Sequence, residues 1–198
     1  MIKEVDARGL SCPKPVIQTK KAIEELLEGQ ITTIVDNAIA KENVTKYAKS
    51  LNLQYQVREV DGFFHIDIFK DEMEISPEAL PQGKPKMGEQ VILVGKDKFG
   101  EGNNQLGEVL IKGFFYTLTE MEPYPKAILF LNGGITLTLE TSPVLEYLRT
   151  LEMQGVQILS CGTCLDYYNA KEQLAVGGVT NMYTIVELLN KAKNIIQI

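Results

Sequence analysis

The sequence predicts an α/β chain in two parts, an N-terminal βαβαββ two-layer sandwich followed by a C-terminal, mostly parallel α/β sheet. Three observations predict it. Up to Lys70, apolar residues recur alternately at strand and helix spacings. The stretch "KDEMEISPEALPQGKPKMGEQ" then breaks the pattern with prolines, glycines and mixed charge. Beyond it, continuous apolar runs of the kind buried on both faces of a parallel sheet alternate with amphipathic helices. The expected division is a domain over 1–70, a linker over 71–88 and a second domain over 89–198.

Ile2 to Asp6 is the first strand. Pro13 to Leu27 carries apolar residues at Val16, Ile23, Leu26 and Leu27, a helical spacing, and Gly29 suits its stop. "QITTIV" is β-branched and strand-like. Ala40, Val44, Tyr47, Ala48 and Leu51 share one face of a second helix opening near Asp36 and Asn37. "LQYQVREV" and "FFHIDIF" alternate, and Asp61-Gly62 between them marks a hairpin. In the second half, "QVILVG", "KAILFLN" and "VQILSC" read as buried strands. Leu106, Val109, Leu110, Gly113, Phe114, Thr117, Leu118 and Met121 form a helical stripe. "TSPVLEYLRTLEMQG" predicts a helix capped by Thr141 or Ser142, with Pro143 at its first position and Gly155 at its end. "NMYTIVELLNKAKN" is a last helix and "IIQI" a last strand.

Composition narrows the function. Of 198 residues, 44% are apolar and 23% charged, as in soluble globular chains. The net charge of −6 is shared evenly, −3 over residues 1–75 and −3 over the rest, so no basic excess points to nucleic acid. No apolar run approaches the roughly 20 residues that span a bilayer, and "MIKEVDARGL" has no apolar signal core. The expected setting is cytoplasmic, where thiols stay reduced. Three cysteines then suggest reactivity or burial, not a disulfide framework.

The first chemical motif is "GLSCPKPVIQTKKAI". Pro13 and Pro15 have fixed φ and no N–H, which suits a first helical turn. Cys12 then falls at or near the N-cap, where unpaired amides and the helix dipole favour a thiolate. Lys14 and Arg8 add positive charge nearby, and the prolines stiffen the loop. An unreactive cysteine buried at a helix start is the competing reading.

"RGLSCPKPVIQTKKAI" resembles the C-P-x-P signature of the TusA/SirA family of small sulfur-carrier proteins. The βαβαββ order and "VDNAIAKENVTKYAKSLN" fit the same family. The resemblance implies that Cys12 carries a persulfide sulfur between a donor and an acceptor, with Pro13 and Pro15 as the motif prolines and Lys14 between them.

The second motif is "LSCGTCLDYY". Cys161 and Cys164 form a C-x-x-C at the carboxyl end of a predicted parallel strand, where sites in open α/β sheets lie. The spacing suits a redox pair, a persulfide-handling pair, half a zinc site, or two unreactive cysteines in a turn. A closed zinc site takes about four ligands, and Cys12 and His65 are the remaining candidates, both in the first half. A thioredoxin-like pair would follow the first strand of its fold, not the third.

From "QVILVGKDKFGEGNNQLGEVLIKGFF" onward the chain resembles the DsrE/DsrF-like family, through the Gly-Asn loop, the "FLNGGI" strand exit and the cysteine after the third strand. That resemblance implies sulfur bound at Cys161, with Cys164 close enough to share the role, and a homo-oligomer built through this domain. The fusion of both domains resembles YedF-type proteins, which implies sulfurtransferase-like chemistry and a link to selenium.

Remaining features carry less. "GEGNNQLG" and "NGGIT" could hold an anion or could simply be turns. His65 reads as a surface strand residue, and Tyr167 and Tyr168 as packing residues. With one histidine there is no Ser-His-Asp set. The expectation is a sulfur or selenium relay: Cys12 loaded by a cysteine desulfurase or another donor, and Cys161 and Cys164 receiving, resolving or releasing the atom. No organic cofactor or metal is expected, because a covalent persulfide or selenium adduct on cysteine carries the cargo. A non-catalytic interaction or regulatory module, or a Cys161–Cys164 redox sensor, would use the same chain differently.

Overall fold

The computed structural model describes residues 2–70 and 86–198, and the chain divides into two compact units, Met1–Gln82 and Gly83–Ile198. The first unit runs β1 (Ile2–Asp6), α1 (Lys14–Glu25), β2 (Gly29–Val35), α2 (Ala38–Ser50), β3 (Gln54–Val60) and β4 (Phe63–Lys70). This is the expected βαβαββ order. β1 and β2 are parallel, and the β3–β4 hairpin adds to β2 antiparallel, giving the order β1-β2-β4-β3. Asp61 and Gly62 both have positive φ, 52° and 80°, as the tight hairpin turn requires.

The strand alternation decides which face the helices cover. Ile31 and Val35 of β2 and Ile66 and Ile68 of β4 are buried in one core with Ala22, Ile23 and Leu26 after α1 begins, and with Val44 and Ala48 of α2. The intervening residues face the other way. There Asp67 is buried and accepts hydrogen bonds from Arg58 Nε (2.6 Å), Thr32 Oγ1 (2.7 Å) and Gln30 Nε2 (3.0 Å). α1 stops at Glu25, two residues short of the expected Leu27. Lys70, at the end of β4, donates its ammonium to the carbonyls of Ile23 (2.8 Å) and Leu26 (2.6 Å), which closes the helix end from a distant part of the sequence.

The second unit runs β5 (Gln90–Val94), α3 (Asn104–Thr119), β6 (Ala127–Phe130), a 3-10 segment (Asn132–Thr138), α4 (Leu145–Met153), β7 (Gln157–Cys161), α5 (Gly162–Tyr167), a 3-10 turn (Lys171–Gln173), β8 (Gly178–Thr180), α6 (Met182–Lys191) and β9 (Asn194–Gln197). Its sheet is parallel throughout, in the order β8-β7-β6-β5-β9. Ile92, Ile128, Phe130 and Ile158 pack on one face with residues of α3 and α4. Val91, Ala127, Leu129 and Cys161 pack on the other with Ile185 of α6. Burial on both faces is why these strands read as unbroken apolar runs.

Some expectations fall elsewhere. Residues 71–85 of the expected linker lie outside the described residues. Met87 bridges to Tyr124, and Gly88 N–H donates to the Tyr124 carbonyl at 2.7 Å, so this end of the stretch is built into the second unit. α4 begins at Leu145, not Pro143, because the Ser142 hydroxyl takes the Val144 N–H (3.2 Å) in a local turn that competes with helix. β8 is three residues long, too short to show alternation. In "GEGNNQLG", Asn103 caps α3 by accepting from Leu106 N–H at 3.0 Å.

Candidate functional site

Each unit holds its own thiol site. In the first, the loop from β1 to α1 is pinned at several points. Ala7 N–H donates to the Ile34 carbonyl (2.9 Å), and Gly9, at φ 72°, donates its N–H to Asp36 Oδ2 (2.7 Å). Arg8 closes a fork on Asp6, with Nε at 2.8 Å and Nη2 at 2.6 Å, and lies over the Phe63 ring. That ion pair holds the Asp6 carboxyl down to about 2. Arg8 is therefore engaged by Asp6, which corrects the expectation that its charge serves Cys12.

Cys12 itself is exposed and is not in a disulfide. α1 starts one residue later than expected: Pro13 is its N-cap, Lys14 its first residue, and Pro15 lies in its first turn. Neither proline has an N–H. The Lys14 N–H goes to the Ser11 carbonyl (3.0 Å) and the Ile17 N–H to the Pro13 carbonyl (3.2 Å). Of the first-turn donors that the sequence offered to a thiolate, those of Lys14 and Ile17 are taken and those of Pro13 and Pro15 are missing. The donor that reaches the sulfur is instead the side-chain amide of Asn43, with Nδ2 3.6 Å from Cys12 Sγ. Asn43 belongs to α2, whose rotation is set by the burial of Ala40, Val44 and Ala48 and whose start is capped by Asn37. Nothing local in the sequence marks Asn43, which is 31 positions from Cys12.

In the second unit, β6 and β7 bring Asn132 and Cys161 to the carboxyl edge of the sheet. Cys161 ends β7 and is the N-cap of α5, and Cys164 follows three positions on. Side chains so spaced at a helix start are neighbours, and Cys164 packs against the buried cluster that contains Cys161. Cys161 is 3% exposed, while Cys164 is only partly buried. The Asn132 N–H donates to Cys164 Sγ at 3.1 Å. Asn132 has φ 48°, and the Tyr168 hydroxyl donates to its Oδ1 at 3.0 Å. Beneath, the buried hydroxyls of Thr138 and Ser160 meet at 3.0 Å and tie the 3-10 segment to β7. Burial pushes the Cys164 thiol above its ordinary value of 9.0; the Asn132 N–H works against this and the Cys161 thiol adds to it.

The tyrosines depart from expectation. Tyr167 is 81% exposed and Tyr168 is also exposed, so neither is a packing residue. Tyr168 stands four positions after Cys164 in the same sequence run, a spacing that the reading as a packing residue passed over. "NGGIT" is the 3-10 segment that supplies the Asn132 donor. His65 is in the middle of β4, paired with Ile34 and Arg58. Among the described residues no group of three or more His, Cys, Asp and Glu side chains is placed to hold a metal ion, and no helix is long and apolar enough to cross a membrane.

Exposure separates the three thiols experimentally. Under native conditions with limiting iodoacetamide, Cys164 should alkylate at least about tenfold faster than Cys161, because attack needs an accessible sulfur. Peptide mass spectrometry of the time course reads this, and equal rates would refute the burial of Cys161 in solution.

Residues 3–70 match the family model described as Sulfurtransferase TusA. The YrkI protein of Bacillus subtilis (strain 168) is 45% identical over 49 residues, which are 24% of this chain and 65% of that protein. A protein of Methanocaldococcus jannaschii is 44% identical over 50 residues, 25% of this chain and 67% of the relative. Both relatives carry names that describe sulfur carriers. The chain thus spans just under two thirds of the length of the B. subtilis relative. Among solved structures, a SirA-like protein from Desulfitobacterium hafniense is similar at 40% identity and a TM-score of 0.33, covering 35% of this chain and 96% of that one. The ychN protein from E. coli is similar at 15% identity and a TM-score of 0.44, covering 55% of this chain and 98% of that one.

Proposed function

The chain belongs, through residues 3–70, to the TusA sulfurtransferase family, and from that premise we propose that it carries sulfane sulfur on Cys12. The observation that carries this reading is the exposed Cys12 thiol at the mouth of α1, with the Asn43 amide directed at its sulfur. In the loading step, the Cys12 thiolate attacks the outer sulfur of a donor persulfide. A bond forms between Cys12 Sγ and that sulfur, the donor's S–S bond breaks, and the donor thiolate leaves with the electron pair. The Asn43 N–H stabilises negative charge on the sulfur before and after transfer. Selenium would follow the same path from a selenium donor. A cysteine desulfurase is the proposed donor class, and the setting is cytoplasmic. The second unit is of DsrE type on this reading. It associates with further copies through its own surface, for which the exposed Leu106, Val109 and Leu110 of α3 provide an apolar face.

The test is intact-mass and peptide mass spectrometry after incubation with a cysteine desulfurase and cysteine, and in parallel with a selenopersulfide (R–S–Se⁻) donor, whose thiolate leaves as selenium is transferred. Wild-type chain should gain one sulfur on the Cys12 peptide, and Cys12→Ser should gain none there. Asn43→Ala should still load, but several-fold more slowly, as loss of a hydrogen bond worth about 0.5–1.5 kcal/mol implies. Loading of Cys12→Ser to the wild-type level would overturn the reading.

A further inference from the structure

We propose that Cys164 and Cys161 form a discharging dithiol, which reduces sulfane sulfur and releases it as hydrosulfide. This rests on the carrier reading for the origin of the sulfur, but it is carried by a separate arrangement. Storage of a persulfide needs one thiol. Here a second thiol stands three positions away at the same helix start, in the cluster against which the first packs, and the two differ sharply in access. Cys164 is partly open and receives the Asn132 N–H at 3.1 Å, while Cys161 is 3% exposed. Cys164 is therefore the sulfur that a persulfide from solution or from a partner can meet. Cys161 is sealed from external persulfides and lies in the buried cluster against which Cys164 packs. A thiol so placed acts at a high effective concentration on any adduct its neighbour carries.

The chemistry closes without a cofactor. Cys164 takes the outer sulfur of an incoming persulfide and becomes Cys164–S–S⁻. Cys161 then attacks Cys164 Sγ, the inner sulfur. A Cys161–Cys164 disulfide bond forms, and the bond from Cys164 Sγ to the outer sulfur breaks. The electron pair of that bond leaves with the outer sulfur, which takes the Cys161 proton and departs as hydrosulfide. The outer sulfur is reduced and the Cys161 sulfur oxidised. An external dithiol reductant returns the disulfide to two thiols. Tyr168 and Asn132 are positioning residues in this scheme. The tyrosine hydroxyl fixes the asparagine side chain, and the asparagine backbone, held at φ 48°, aims its N–H at the reacting sulfur.

The experiment uses the full chain with Cys12→Ser, so that the pair provides the only thiols, and glutathione persulfide as the probe. Released sulfide is trapped with monobromobimane and the intact mass is followed. With both cysteines present, one equivalent of hydrosulfide should appear per chain, and the mass should fall by two hydrogens. Added dithiothreitol should restore both the mass and a second round. With Cys161→Ser, and with Cys161→Ala as a second variant in case one misfolds, the chain should hold one extra sulfur on Cys164. Its sulfide release should be at least about tenfold slower. With Cys164→Ser, uptake should be lost. A stable extra sulfur on the intact pair, undiminished release from both Cys161 variants, or no uptake by the pair would each overturn the proposal. A chain with Cys161→Ser and Cys164→Ser reports Cys12 loading alone. Failure there would count against the carrier reading and leave the discharge result standing.

Discussion

Replacing Gly134 by alanine is expected to lower the stability of the second unit by about 2–3 kcal/mol, the upper part of the range for overpacking. A β-carbon at Gly134 would lie 2.3 Å from the Val94 carbonyl oxygen and 2.8 Å from its carbon. Neither side can yield cheaply. The Val94 oxygen already accepts the Leu131 N–H at 2.9 Å, and Val94 is fully buried in the sheet. The 3-10 segment must therefore lift, which disturbs the fully buried Ile135 and Thr138 and the nearly buried Leu137. Urea unfolding followed by hydrogen exchange in peptides of β5 and β6 measures the loss. An unchanged midpoint would show that the close approach is not real. The same shift moves Asn132, so the variant should also alter the alkylation rate of Cys164.

The second large effect is expected at Asp67. This carboxylate is 3% exposed on the face of the first sheet away from the helices, and Arg58, Thr32 and Gln30 all donate to it. The Arg58 hydrogen bonds are the main reason its pKa lies below the ordinary 3.8; burial opposes the shift, and Thr32 and Gln30 assist it. A carboxyl whose folded pKa is depressed stabilises the fold above its unfolded pKa. That contribution is lost as pH falls through the folded value, below 3.8. Asp67→Ala should cost about 1–3 kcal/mol at neutral pH, since it leaves the buried Thr32 hydroxyl without its acceptor and the Gln30 amide with Thr32 alone. The figure stays below that for a fully buried pair because Arg58 is 46% exposed and can return to water. Asp67→Asn should flatten the acid side of the stability profile of the first unit. Urea midpoints across pH 2 to 7 test both claims, and a wild-type acid slope retained in Asp67→Asn would refute the second.

Much of the fold was legible because its signals are short-range. The period of the apolar residues separated helices from strands, Asp61-Gly62 marked the hairpin, and doubly buried strands betrayed a parallel sheet. The misplaced boundaries have a common origin. The end of α1 depends on Lys70, and the start of α4 depends on a turn at Ser142 that competes with the helix. β8 is too brief to leave a pattern. At the sites, cysteine motifs drew attention to Cys12, Cys161 and Cys164. They did not reveal the Asn43 donor, the Tyr168–Asn132 pair or the capture of Arg8 by Asp6. Each of those except Arg8 joins side chains or backbone groups that are far apart in the chain.

By itself the sequence determined the order of elements, the family of the first unit and the thiols available for chemistry, because spacing and residue type are properties of the chain alone. Only the tertiary structure decided which thiol meets solvent, which lies sealed beside it, and which group donates to each sulfur. Access and hydrogen bonding depend on which distant segments are brought within about 3 Å of each other, and no local pattern encodes that.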